Sequence, residues 1–333
     1  MVQYFIIDFI MGKRRVNKQQ STRIEKIQQN YLTNKNTDTA LFEGLVLCRH
    51  SRHVEILDNA GHIMKCSIRP HLETLVAGDR IIWQQVGENQ GVVVSLCPRL
   101  SVLAKPSEKK STVKPVAANI TQIIIVVAAL PEISWPLLDS YLIMADFLQI
   151  PAMILLNKTD LMCADIKQRL STTYSSLGYP LFLSNTRSGE GIEELNEQVK
   201  DHINVFVGQS GVGKSSLIAA LLPNIANIAT NELSTSSQLG KHTTSNSRYY
   251  FLPQGGAIID SPGVREFHLW HLSANEIAQG YREFKPYLNQ CKFRNCEHDE
   301  RTPGCAIIEA LNKKIISSIR YQSFLKLCEQ YAA

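Results

Sequence analysis

Gly208-Gln209-Ser210-Gly211-Val212-Gly213-Lys214-Ser215 is a G-x-x-x-x-G-K-S loop. The apolar run Ile203 to Val207, broken only by Asn204, precedes it, and Ser216 to Leu222 follows as a helical stretch halted by Pro223. Strand, glycine-rich turn and helix form the setting in which such a loop cradles phosphate. Glycines let backbone N–H groups turn inward around an anion, and the helix N-terminus adds its positive dipole end. Lys214 is placed to bridge the β- and γ-phosphates, and the Ser215 hydroxyl to ligate Mg²⁺, with Ser216 counted among the nucleotide-binding residues. A second stretch, Asn157-Lys158-Thr159-Asp160, has the N-K-x-D form of a guanine reader. A carboxylate accepts from both the ring N–H and the exocyclic amine of guanine, whereas adenine presents an acceptor at the ring position and is repelled. Asn157 would bind the base or brace the phosphate loop, and the Lys158 stem would cover the base face. Ala152 to Leu156 reads as a buried strand that delivers this motif at its carboxyl end, where open α/β sheets bind ligands. Leu181 to Leu183 leads in the same way to Ser184-Asn185-Thr186, a second guanine loop acting through backbone N–H groups.

Two further stretches follow the phosphate loop: Gly240-Lys241-His242-Thr243-Thr244 and Ala257-Ile258-Ile259-Asp260-Ser261-Pro262-Gly263. Asp260 would hold Mg²⁺ through water, the Gly263 N–H would sense the γ-phosphate, and Thr243 or Thr244 would supply the other switch contact to the ion. The chemistry is that of GTP hydrolysis, but the motifs run base reader, second base loop, phosphate loop, threonine switch, Asp switch. That order is a circular permutation of the usual one, which begins with the phosphate loop. Permutation is tolerated where the original ends lie close together at the surface. Its consequence is that the chain after the Asp switch soon enters a different domain, so movement of that switch is wired to the C-terminus. Where many GTPases carry a water-orienting Gln, this chain has Val264. His242 is the candidate catalytic replacement, an imidazole near neutrality that can orient or accept from water. The residues around it, from Pro223 to Arg248, are polar and patternless, as expected of a mobile switch loop that leaves intrinsic hydrolysis slow.

Cys291, Cys296, His298 and Cys305 form a C-x4-C-x-H-x6-C cluster. Four such ligands within fifteen residues fit a closed tetrahedral Zn²⁺ site. With no fifth position and no acid or base beside it, the zinc is expected to be structural, stapling a segment too small to fold alone. Lys292, Phe293, Arg294 and Arg301 around it are a basic-aromatic mix suited to RNA.

The motif order, Gly-Lys-His-Thr-Thr, Asp260-Ser-Pro-Gly-Val-Arg-Glu-Phe267 and the Cys/His cluster together resemble the RsgA (YjeQ) family, the small-ribosomal-subunit-dependent GTPases of bacteria. The resemblance runs from about Leu41 to the C-terminus. It implies an N-terminal OB-fold, a permuted GTPase, a C-terminal zinc domain, a role in late small-subunit maturation and a catalytic role for a His at the place of His242. The last gap of the metal cluster is about one residue longer than the family's usual form, at Thr302-Pro303-Gly304.

The elements that must position these residues follow from the pattern. From Leu41 to about Leu103 five short β-like runs alternate with turns: Glu43–Cys48, His53–Leu57, Ile63–Ser67, Arg80–Val86 and Gly91–Leu96. This suits a small barrel such as an OB-fold. Arg49, His50, Arg52, His53, Arg69 and His71 are its candidates for contact with an RNA backbone. Residues 104–115, with four lysines and two prolines, read as a linker. Ile120–Ala129 is expected as a central buried strand, with helices over Leu137–Gln149, Cys163–Leu177 and Gly191–His202, all in a doubly wound sheet. Ala306–Tyr331 reads as one amphipathic helix or a pair, with Ile307, Ile308, Leu311, Ile315 and Ile319 inward and Lys313, Lys314 and Arg320 outward. The expected domains are a basic flexible arm (1–40), an OB-fold (41–103), the linker (104–115), a permuted GTPase (116–272) and a zinc-binding domain (273–333).

At 333 residues there is room for two or three cores, and the net charge of +5 permits nucleic acid without requiring it. Residues 12–40 concentrate seven basic residues against Glu25 and Asp38, an arm expected to order on RNA phosphates. Met1 to Met11 is apolar but too short to span a bilayer, and its positive residues follow rather than precede it, unlike a secretory signal. Translation starting at Met11 would remove it. Eight scattered cysteines without a paired framework suit a reducing cytoplasm. The chain is thus expected to be a cytoplasmic monomer that partners the small ribosomal subunit and its rRNA. Two alternatives remain: an RNA-binding assembly module whose nucleotide site is only structural, and a P-loop kinase or ATPase.

Overall fold

The structure is a computed structural model that describes residues 40–70, 72, 74–106, 113–222, 247–260 and 272–331. The chain forms two compact units. One holds residues up to Ile120 with two later pieces around 247–251 and 258–260; the other holds 121–222, 252–257 and the C-terminal residues.

The first unit is built on five strands, β1 (Leu41–Arg49), β2 (His53–Asp58), β3 (Ile63–Ile68), β4 (Arg80–Gly87) and β5 (Gln90–Leu96). Each matches an expected run to within two residues. β1 pairs antiparallel with β2 and with β4, β2 with β3, and β4 with β5, while β3 and β5 are parallel. The circuit β1-β2-β3-β5-β4-β1 therefore closes, which is the connectivity of an OB-fold and removes the free edges. Alternate residues Val54, Ile56, Met64, Cys66, Ile81, Trp83 and Val93 fill the interior. Trp83 fits because its walls are bare. A Cβ on Gly91 would lie 2.5 Å from Trp83 Cε3, and one on Gly44 would lie 3.0 Å from Trp83 Cδ1. The indole N–H donates to the Glu43 carbonyl at 3.1 Å, so no polar group is orphaned. Asp79, fully buried, takes both Arg99 Nε (2.6 Å) and Nη2 (2.8 Å) and closes the loop ahead of β4.

The described ends of the expected linker, 104–106 and 113–115, are strand. β6 (Val102–Pro106) and β7 (Val113–Ala118) form an antiparallel ribbon in which Lys105 faces Lys114. Lysines and prolines hid it, since they are strand-poor residues in general and tolerated on an isolated ribbon's edges.

The second unit begins with β8 (Gln122–Ala128), every residue of which is buried, then α1 (Trp135–Leu148), β9 (Ala152–Asn157), α2 (Ala164–Thr173), β10 (Leu181–Ser184), α3 (Ile192–Val199), β11 (Ile203–Val207) and α4 (Lys214–Leu221). The strands are parallel in the order β10-β9-β8-β11. From β8 the chain winds outward through β9 and β10, then returns to the other side of β8 as β11. Reversal of strand order at β8 places a crevice at the carboxyl ends of β8 and its two neighbours. The later pieces of the first unit contain β12 (Arg248–Phe251), paired with β1, and most of β13 (Ala257–Asp260), beside β12.

The C-terminal part of the second unit holds α5 (Ala274–Gln279), α6 (Ala306–Asn312) and α7 (Ser318–Tyr331). Ser273 and Glu276 close α5 with a reciprocal capping box. Tyr281, Phe284 and Phe324 stack into a small aromatic core, with ring centroids 4.7 to 5.8 Å apart. The expected stripe is corrected beyond α6. Ile315 is 59% exposed while Ile316 is buried, and Arg320, expected outward, has no exposed surface. Lys314 adopts φ +59° where the chain breaks between the two helices, and that break resets the rotational phase. The Arg320 guanidinium bonds Asp139 of α1 and, through Nε at 2.7 Å, Glu283. It also lies 4.3 Å from the Tyr281 ring centroid. Among the described residues no helix is long and apolar enough to cross a membrane.

Candidate functional site

The phosphate loop leaves β11 at Gly208, whose φ of +136° and approach to β8 admit no side chain: a Cβ would sit 2.2 Å from the Val126 oxygen. At Gly213 (φ +101°) a Cβ would lie 2.3 Å from Asn157 Nδ2. These two glycines let the loop wrap tightly between β11 and α4. Lys214, the first residue of α4, is buried, and its ammonium donates to the Gly208 and Gln209 carbonyls at 2.6 Å each. The charge is therefore held at the mouth of the loop. Val212 is buried, whereas Ser210, Gly211, Ser215 and Ser216 face solvent, as groups that meet a ligand must.

The guanine motif is bonded to this loop. Asn157 is fully buried at the end of β9; its Nδ2 donates to the Val212 carbonyl at 3.0 Å, and its Oδ1 accepts from Ser184 Oγ at 3.1 Å. Asn157 thus braces the phosphate loop through Val212. Ser184, expected to act through its backbone, also contributes its hydroxyl to that brace. Lys158 (φ +60°) runs across the loop, and Nζ donates to Gly211 O at 2.6 Å and Leu130 O at 2.9 Å. Asp160 stands at the rim with its side chain 31% exposed, 3.5 Å from Arg187. Asn185 is nearly buried, and its N–H is committed to the Glu190 carbonyl at 2.9 Å. Asp260 ends β13. His242, Thr243, Thr244 and Gly263 lie outside the described residues, as does most of the expected switch loop.

Sequence reasoning missed the part played by Gln209. Its Oε1 accepts from Ser134 N at 2.9 Å and its Nε2 donates to Glu132 O at 3.0 Å. The side chain thus fastens the phosphate loop to the turn that starts α1, and only its main chain is left to the loop. No local pattern announces this, because the partners lie about 75 positions away.

The four expected metal ligands converge. Their ligand atoms all lie within 4.8 Å of one another. His298 Nδ1 is 3.6 Å from Cys291 Sγ and 3.5 Å from Cys305 Sγ, and the two sulfurs are 4.0 Å apart. A tetrahedral zinc, with bonds of about 2.3 Å to sulfur and about 2.0 Å to nitrogen, spaces its ligands at roughly 3.8 Å (S–S) and roughly 3.5 Å (S–N). The cluster is therefore compatible with zinc. Burial pushes the Cys305 thiol up to about 12 and also raises Cys296, and burial lowers His298. The pocket thus favours neutral thiols and a neutral imidazole until a cation displaces the thiol protons. Gly304 at φ +72° turns the longer last gap, and its carbonyl accepts from Lys292 N at 2.9 Å. Tyr321 OH donates to the His298 carbonyl at 2.8 Å, tying α7 to the cluster. Lys292 and Phe293 form a cation–π contact at 5.6 Å, with Phe293 44% exposed.

In the barrel unit, the His50 and His53 rings stack at 4.4 Å and His50 reaches Glu55 at 3.2 Å. Arg52 and Arg69 are exposed, and His71 lies outside the described residues.

Comparison with known proteins gives this geometry a lineage. Residues 96–270 match the family described as RsgA GTPase. The "Small ribosomal subunit biogenesis GTPase RsgA 1" of Vibrio parahaemolyticus is 42% identical over 325 residues, 95% of this chain and 91% of the relative. The chain belongs to the RsgA GTPase family. The RsgA of Haemophilus influenzae is 40% identical over 335 residues, 96% of each chain. Among solved structures, YjeQ from Thermotoga maritima superposes with a TM-score of 0.71 at 28% identity, covering 87% of this chain and 98% of that one. The structure described as YloQ, a circularly permuted GTPase, matches with a TM-score of 0.67 at 23% identity over 87% of this chain and 95% of that one, a likeness of fold. This RsgA-family chain is accordingly a GTP hydrolase, with an OB-like barrel, a permuted P-loop GTPase and a C-terminal Cys/His cluster.

Proposed function

We propose that this chain is a GTPase of late small-subunit maturation, which binds the small ribosomal subunit and its rRNA and hydrolyses GTP to GDP and phosphate on that platform. The observation that carries it is the Asn157 bond to the phosphate loop. It joins a base reader to a phosphate cradle in one rigid piece, in a chain whose relatives are named for small-subunit biogenesis. Gly208 to Ser216 would hold the phosphates, with Lys214 neutralising the β- and γ-oxygens. Asp160 would read guanine, and the loop at Ser184-Asn185 would border the base. Mg²⁺ would be held by Ser215, by Asp260 and by Thr243 or Thr244, and would neutralise charge developing on the phosphates. Gly263 would sense the γ-phosphate, and His242 would orient the attacking water.

Cys291, Cys296, His298 and Cys305 would hold one structural Zn²⁺. With the ligand set closed and no acid or base aimed into it, the metal fixes the segment that presents Lys292, Phe293 and Arg294 to RNA. The protein acts as a cytoplasmic monomer, and GTP serves as an occupancy timer: it favours the docked state, and hydrolysis loosens it. The test is GTP turnover with purified subunits. Small subunits should accelerate hydrolysis strongly and large subunits should not; equal rates with and without small subunits would refute the proposal. Replacing His242 should abolish the stimulated rate while leaving GTP binding intact. Asp160→Asn should erase the preference for guanine, which a kinase or ATPase would not notice.

A further inference from the structure

Guanine recognition needs both carboxylate oxygens of Asp160, and one of them already has a partner. Arg187 Nη1 stands 3.5 Å from Asp160 Oδ2. The loop that carries Arg187 is closed on itself. Asn185 N donates to Glu190 O at 2.9 Å, Gly189 N to Asn185 O at 2.9 Å, and Arg187 N to the nearly buried Asn185 side chain at 3.0 Å. Gly191, at φ +72°, lets the chain leave beside β10, where a Cβ would lie 2.0 Å from the Leu183 oxygen. The backbone of Arg187 is therefore fixed opposite Asp160, while its side chain, 86% exposed, is free to swing into water.

We propose that Arg187 is a counter-ion that guanine must displace from Asp160, and so a residue that lowers guanine affinity and speeds the base's release. The inference rests on the assignment of Asp160 as the guanine reader. The ring N–H and exocyclic amine of guanine together replace the guanidinium donor. Adenine, with an acceptor at the ring position, would have to break the ion pair and put nothing in its place. The pair therefore weakens binding of the base modestly, by the cost of breaking one exposed ion pair. Because it is exposed and screened by salt, its effect on guanine affinity is small, roughly two- to five-fold.

The test uses the full-length, metal-replete protein and a fluorescent GDP analogue. Arg187→Gln should tighten GDP roughly two- to five-fold and slow its release in proportion. Arg187→Lys, which keeps a cation, should stay close to the parent, and high salt should shrink the difference between Gln and Arg forms. Unchanged or weaker binding by Arg187→Gln overturns the inference, the weaker outcome meaning that the guanidinium holds the base instead. A parent protein that binds no GDP at all would instead overturn the guanine assignment, and this inference with it.

Discussion

At the scale of single residues, the site depends on side chains that fix the loops as much as on those that face solvent. Asn157 is buried and both ends of its carboxamide are used. Asn157→Ala should leave the Ser184 hydroxyl and the Val212 carbonyl without it, at a cost of about 1–3 kcal/mol for each group left unpaired. GTP affinity measured by calorimetry should fall at least tenfold. Asn157→Asp should not rescue it, since a carboxylate can accept from Ser184 but cannot donate to Val212. The same logic reaches the metal ligands. Burial raises the Cys305 and Cys296 thiols in the folded chain, so taking up zinc expels protons. Raising pH should therefore tighten the metal and lowering it should loosen it. A zinc-release titration followed with a chromogenic chelator checks the sign, and metal affinity that rises as pH falls would contradict it. The cluster was legible in the sequence because all four side chains lie in one short segment. For Asn157 the sequence offered both the base and the phosphate loop as partners, and the bond to Val212 could not be singled out because it lies 55 positions away. Gln209 was read only as a member of the motif, and Arg187 carried no signal.

At the scale of elements, strict alternation made the barrel readable. Residues that point inward must be apolar and those that point outward are free to be polar, so β3 and β5 announce themselves. Gly91 sits on that pattern for a reason of volume. Gly91→Ala should drive a methyl into Trp83 and the Cys66 sulfur, costing about 1–3 kcal/mol in thermal or denaturant unfolding. The helical tail was less readable. An apolar period carried through the break at Lys314 turned Arg320 to the wrong side. No local rule could have corrected it, since the acids that draw Arg320 inward lie 181 and 37 positions away. Arg320→Met should strand Asp139 and Glu283 without their cation, a loss of about 3–5 kcal/mol. Replacing Arg320 and both acids together with apolar residues should recover much of it, and a double- and triple-mutant cycle by urea melts would show whether it does.

For the molecule as a whole, the permuted motif order has a counterpart in how the chain is distributed. The barrel unit takes its first strands from the N-terminal part and then receives β12 and most of β13 from beyond the phosphate loop. Neither unit is one continuous segment, so a cut at any single point leaves both incomplete or one contaminated. The net charge of +5 and the basic residues in 12–40 bear on partners rather than fold. Removing residues 1–39 should weaken association with small subunits and flatten its dependence on salt. Sedimentation at several potassium concentrations would test this, and an unchanged slope would remove the arm from the contact.

The pairing of Asp139 with Arg320 has a consequence for synthesis. Translation delivers the acid 181 residues before its base, and α1, which carries the acid, cannot settle its buried face until Arg320 has emerged. A nascent chain abandoned short of that point carries a helix with an unneutralised acid on its inner face. Such stubs should stay loose and be cleared by proteases, so that surviving copies are those translated past Arg320.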